Sequence, residues 1–177
     1  MTFTQHYDSP LGSILLTADE MGLTGLWFDG QKHFARGLPA QHTEQDTPVL
    51  SEAKRWLDVY FTGREPDFPP ALHPIGSAFR RRGWDLLLRV PYGQTVTYGQ
   101  LAQQLAAQQS LSHMSAQAVG GAVGHNAISI IIPCHRVVGA GGNLTGYAGG
   151  IDRKVQLLTL EHADTSGFFV PKKSTAP

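Results

Sequence analysis

Residues 64–76 read "REPDFPPALHPIG", and their four prolines divide the chain. Proline carries no backbone N–H and holds φ at about −65°, so neither a helix interior nor a central strand can run through this stretch. The elements on either side must be read separately. At 177 residues the chain is long enough for one compact domain or two small ones. The textures before and after the prolines differ, and the expected division is 1–75, 76–165 and a tail, 166–177.

The first part reads as strands followed by a helix. "TFTQHYD" and "GSILLTA" flank the turn-forming "SPLG", and "ADEMG" leads into "LTGLWFD", which predicts a β-meander. A helix is expected from Thr47, with Pro48 in its first position. Leu50, Ala53, Trp56, Leu57, Tyr60 and Phe61 follow helical spacing, and Gly63 supplies a stop. Together these predict a small α/β domain.

Helical patterns dominate the second part. Phe79, Trp84, Leu87 and Leu88 suit an amphipathic helix ending before "VPYG". "TYGQLAQQLAA" follows, with Thr97 and Gln100 at capping-box spacing and Leu101, Ala102 and Leu105 inward. Beyond the Gln-rich "QQSLSHMS" lies "SAQAVGGAVGH", capped by Ser115. Two short helices with a connecting turn or loop make a helix-turn-helix candidate; three-helix packing without DNA is the rival. A last helix covers "IDRKVQLLTLEH", with Ile151, Val155 and Leu158 inward, and "SGFFVPKKSTAP" should fray at its end.

Bulk properties exclude several classes. No apolar stretch approaches a membrane span, and "MTFTQHYDSPLGS" lacks the build of a signal peptide. A single cysteine excludes an internal disulfide framework and a multi-cysteine zinc site. A reduced, cytoplasmic setting is expected. The net charge of zero conceals −5 over residues 1–75 and +5 over 76–177, a weak hint that the second part meets an anion such as nucleic acid.

The lone cysteine sits in "IIIPCHRVV", residues 130–138. It reads either as a small buried hydrophobe or as a nucleophile with His135 beside it. A phosphatase loop would want arginine where Ala140 stands, and no CxxC exists. "GAGGNLTGYAGG" has no Lys-Ser/Thr ending for a phosphate loop, and Leu144 takes the third-glycine place of a dinucleotide fingerprint. An activated thiol remains. Adjacent residues in a strand point to opposite faces, so His135 would need a turn, or a bridging water, to reach the thiol proton. Pro133 makes a turn credible. On adjacency alone, packing is the stronger reading.

The neighbouring words change that balance. "VPYGQTVTYGQLA" and then "AVGGAVGHNAISIIIPCHRVVGAGGNLTGYAGGIDRK" resemble the O6-alkylguanine-DNA alkyltransferases, the methylated-DNA–protein-cysteine methyltransferases. The likeness is close over 76–162, and "SPLGSILLTADEMGLTGLWFDGQKHF" resembles the N-terminal domain of the bacterial members. It implies a ribonuclease-H-like α/β domain followed by a helical, winged helix-turn-helix-like domain. It also implies double-stranded DNA carrying O6-alkylguanine as partner and one irreversible transfer of the alkyl group to the protein's own cysteine. Neither cofactor, metal, membrane nor protein partner is implied. By the same likeness Cys134 accepts the alkyl group, His135 takes its proton through a water, and Glu161 orients His135. Asn126 holds the turn, and Tyr98 donates to the departing guanine. Val137, Tyr147, Ala148 and Gly149 frame the pocket. DNA contacts fall to Ala116, Gln117, Ala118, Gly120, Gly121 and Arg136.

Two departures stand out. The family word "ARAVGGA" is "AQAVGGA" here, so Gln117 replaces the arginine that fills the space of the flipped nucleotide. Glutamine lacks its charge and stacking plane. The connection between the two motif helices also looks longer than the family's by about five residues in an unaligned comparison. Between Val90 and Ile151 the only charged residue is Arg136, so Arg80, Arg81, Arg82, Arg89, Arg153 and Lys154, or backbone N–H groups, are left to meet phosphates. An alternative follows: the same fold with impaired flipping or DNA binding, as an inactive or lesion-sensing homologue. A thiol hydrolase or redox sensor is the third reading.

Overall fold

The computed structural model describes residues 1–171. It falls into two compact units: Met1–Ile75 with Ala127–Ser129, and Gly76–Asn126 with Ile130 onward.

In the first unit β1 (Phe3–Ser9), β2 (Gly12–Ala18) and β3 (Leu23–Phe28) form the antiparallel meander. The short β4 (Thr43–Glu44) pairs in parallel with β1, giving the order β3-β2-β1-β4. Ile14, Leu16, Leu26 and Phe28 share one face by strand alternation and are fully buried. Leu15 and Trp27, paired across the strands, bury the other face. The helix α1 (Pro48–Tyr60) packs along β1, β2 and β3 with Leu50, Ala53, Leu57 and Tyr60 inward. Thr47 caps it by accepting from the Leu50 N–H at 3.2 Å. Gly63, at φ 84°, supplies the left-handed turn beyond its end.

The boundary near residue 76 misses one part of this unit. Leu26 N–H donates to Ala127 O at 2.8 Å and Leu26 O accepts from Ser129 N–H at 3.1 Å. An edge strand needs partners for its outward backbone groups, and a three-residue segment far along the chain supplies them to β3.

The second unit contains α2 (Ala78–Leu88), α3 (Tyr98–Gln108), α4 (Ala116–Gly124) and α5 (Ile151–Leu160). A parallel pair joins β5 (Val96–Thr97) to β6 (Val137–Val138). Helices α2, α3 and α4 pack against one another, and Trp84 Nε1 donates to Ala122 O at 3.0 Å, tying α2 to α4. Leu86 takes the inward place expected of Leu88, which is exposed. Both bonds of the Thr97–Gln100 capping box form, and Ser115 caps α4.

Helix α5 buries Leu158 as expected, with Val155 packed against its cluster, and adds Lys154 and Leu157 to the inward stripe. Lys154, Leu157 and Leu158 are buried, while Ile151 and Val155 are half-buried. Leu158 joins Val138 and Leu144 in a cluster that Phe168 also covers. Phe169 pairs with Asn143, so the start of the expected tail is folded; residues 172–177 lie outside the described range. Among the described residues, no helix is long and apolar enough to cross a membrane.

Candidate active site

The cysteine lies on a turn. After Ile130, whose φ of 69° is rare for a β-branched residue, the chain enters a single 3-10 turn, Cys134–Arg136. Asn126 Nδ2 donates to Ile132 O at 2.8 Å, and Cys134 N–H bonds the same carbonyl at 2.8 Å. A buried asparagine thus ties the end of α4 to the segment carrying the sulfur. Cys134 is 5% exposed. Burial pushes its thiol up from the ordinary value, while a hydrogen bond with Asn126 and the Lys154 charge pull the other way without overcoming it.

His135 does not bond the sulfur directly. Its Nε2 meets Glu161 Oε2 at 2.6 Å, and its buried Nδ1 has no protein partner. Burial pushes the imidazole down, against the pull of Glu161, so it is neutral at neutral pH. Nε2 then carries the proton, shared with the carboxylate, and Nδ1 is left as the acceptor. Burial alone would raise Glu161, but the hydrogen bonds from His135 and Arg136, together with the Arg136 charge, outweigh it and hold its carboxyl at about 2.

Tyr98, at the first position of α3, points its hydroxyl at Gly146 O, 3.5 Å away. Burial first, and the Cys134 charge second, push that hydroxyl up to about 12. Tyr147 is buried with its ring edge-on to His135. Val137 and Gly149 are buried and Ala148 is half-buried.

Lys154, which the sequence places among phosphate-meeting side chains, is 0% exposed. Its Nζ donates to Val137 O at 2.5 Å, Thr145 O at 3.1 Å and Gly146 O at 3.3 Å. Burial lowers the ammonium to about 8, a fall that ionisation of Cys134 would oppose. The signal was present: Lys154 falls at helical spacing with Leu157, Leu158 and Glu161, on the stripe that faces inward.

Arg136 is likewise corrected. It was expected to contact DNA, yet it is buried with its Nε on Glu161 Oε1 at 2.7 Å. Of the other residues expected at DNA, Ala116, Gln117 and Ala118 lie exposed on α4, with Gly120 and Gly121 half-buried beside them. A Cβ on either glycine would meet no atom within 4 Å, so the space beside both is open.

Comparison with known proteins assigns both units. Residues 3–72 match the ribonuclease-like domain of 6-O-methylguanine DNA methyltransferase, and residues 78–163 match its DNA-binding domain. A Methanosarcina acetivorans protein named methylated-DNA–protein-cysteine methyltransferase is 42% identical over 156 residues, 88% of this chain and 95% of its own. A Mycobacterium bovis protein of the same name is 43% identical over 160 residues, 88% and 92% of the two chains. The crystal structure of Mycobacterium tuberculosis O6-methylguanine methyltransferase superposes with a TM-score of 0.77 at 40% identity, covering 92% and 93%. The same organism's protein in complex with DNA gives 0.78 at 41% identity, covering 90% and 92%. The chain belongs to the 6-O-methylguanine DNA methyltransferase family.

Proposed function

We propose that this protein repairs DNA by moving an alkyl group, methyl above all, from O6 of guanine to its own Cys134, once per molecule. The observation that carries the reading is the linked set of Cys134 on a turn, His135 with an acceptor nitrogen unengaged, and Glu161 fixing the imidazole. Its DNA partner follows from the family and from the related protein in complex with DNA. Cytoplasmic residence is part of the same proposal.

The chemistry needs a soft nucleophile, since an sp3 carbon must be displaced from oxygen. Cys134 enters as a thiol, because burial favours the neutral form. Its proton passes to His135 Nδ1 through solvent, and Glu161 steadies the resulting imidazolium. The C–S bond then forms as the C–O6 bond breaks. The departing guanine would be anionic, and Tyr98, whose own ionisation is disfavoured, donates a hydrogen bond to it. Asn126 keeps the turn in place, and Val137, Tyr147, Ala148 and Gly149 form the wall. Reaching O6 requires the base to leave the stack, with the exposed α4 face of Ala116, Gln117, Ala118, Gly120 and Gly121 against the duplex.

The lesion-sensing alternative, for which Gln117 is the main ground, is not favoured, since relatives over most of the chain carry the transferase name. The test is to offer duplex DNA containing O6-methylguanine, and separately free O6-benzylguanine, and weigh the intact protein. Methyl and benzyl mass gains, both abolished by Cys134→Ala, are expected. Benzyl uptake without methyl would revive the alternative; neither gain overturns the proposal.

A further inference from the structure

The only charged side chain between Val90 and Ile151 faces inward, where it is 9% exposed. Three contacts hold the Arg136 guanidinium. Nε donates to Glu161 Oε1 at 2.7 Å, Nη1 donates to Val90 O at 2.7 Å, and the ion lies 5.7 Å over the Tyr92 ring. The second carboxylate oxygen, Oε2, meets His135 Nε2 at 2.6 Å. Both oxygens of one buried carboxylate are therefore engaged, on partners that are neighbours in sequence.

A carboxylate gripped on one side can still turn about its last bond. Once Oε1 is held by a planar ion that is itself fixed by a main-chain carbonyl, Oε2 keeps one direction. We infer that Arg136 is a positioning residue for alkyl transfer: by anchoring Glu161 Oε1 and Val90 O it fixes the carboxylate that orients the His135 ring. This rests on the transfer reading proposed above. The Arg136 guanidinium is bonded to Glu161 and Val90, and it acts through Glu161 and His135.

A purely structural ion pair would hold the fold and nothing more, so the two roles separate by pH. Arg136 is one of the two groups keeping Glu161 ionised, the other being His135. The charges around His135 are Glu161, Arg136 and Lys154. Without Arg136 the Glu161 carboxyl takes up its proton at higher pH. A protonated carboxyl no longer demands the Nε2–H tautomer, and Nδ1 ceases to be a dependable acceptor.

The test measures benzyl transfer from O6-benzylguanine to full-length wild type, Arg136→Met and Arg136→Lys across a pH series, by intact mass against time. Methyl transfer from duplex DNA is measured alongside. Arg136→Met should lose about tenfold or more with both substrates, and the acidic limb of its pH–rate profile should move to higher pH. Arg136→Lys keeps the charge but not the planar fork, so its limb should stay at the wild-type position while its rate falls. Wild-type rate in either variant, an unmoved limb in Arg136→Met, or a loss confined to duplex substrate would overturn the role. Should Arg136→Met fail to fold, the rate and limb of Arg136→Lys decide alone. Wild type that accepts neither alkyl group would instead overturn the transfer reading itself.

Discussion

Lys154 joins the cysteine's surroundings to the wall of the site through three carbonyls, those of Val137, Thr145 and Gly146. An ammonium has three N–H donors and here each has an acceptor, which offsets the cost of burying the charge. Lys154→Met conserves volume but leaves those carbonyls without their donor. It should cost about 2 kcal/mol in urea unfolding and slow alkyl transfer, because the 145–149 loop loses its tether. Unchanged stability and rate would mean that main-chain geometry alone holds the loop. The same residue marks a limit of reading by type. A lysine in sequence is assigned to solvent or phosphate by its type, although its helical spacing with Leu157, Leu158 and Glu161 marks the inward stripe. Cys134, His135 and Glu161 were legible because their words stand at family spacing; Lys154 and Arg136 stand at family spacing too, but their roles depend on which way the side chain points.

The helix-turn-helix of α3 and α4 is an uncharged element. No residue from 91 to 150 other than Arg136 is formally charged, and Arg136 is committed to Glu161. The exposed basic side chains nearest in sequence are Arg81, Arg82 and Arg89 of α2 and its cap. Each neutralised phosphate contributes about −0.9 to the log–log salt slope on duplex DNA, so these three give a slope of about −3. Fluorescence titration of a duplex at several salt concentrations measures this, and a slope near twice that value would require contacts elsewhere. Gln117→Arg adds charge on the exposed face of α4 and should raise duplex transfer more than free-base transfer. Equal effects on both would remove Gln117 from the DNA face. Element boundaries themselves were well marked, since Thr47, Thr97 and Ser115 each accept the capping bond expected of them. Facing was less so: Leu86 and Leu88 exchange places because both are leucine and only the packing of α2 distinguishes them.

Stability of the whole molecule should depend on pH through one buried network. Glu161 titrates ordinarily at 4.5 and is held at about 2 in the folded chain. A depressed carboxyl contributes stability that is complete above its unfolded value and lost as pH falls towards the folded one. The loss should amount to about 3 kcal/mol between about pH 6 and about pH 2, and to be much smaller in Glu161→Gln. Urea unfolding at the two pH values measures it, and an equal loss in both proteins would assign acid lability to other groups, the buried neutral His135 among them. Local signals determined a great deal of this protein: strand alternation, helix caps, the proline-rich divide and the words around Cys134 are all properties of neighbouring residues. The tertiary structure decided what neighbours cannot. It gave Ala127–Ser129 to the first unit, because the edge of β3 needs backbone partners whatever their distance along the chain. It also turned Arg136 and Lys154 inward, because a buried carboxylate and buried carbonyls must be satisfied by whichever donors the fold brings to them.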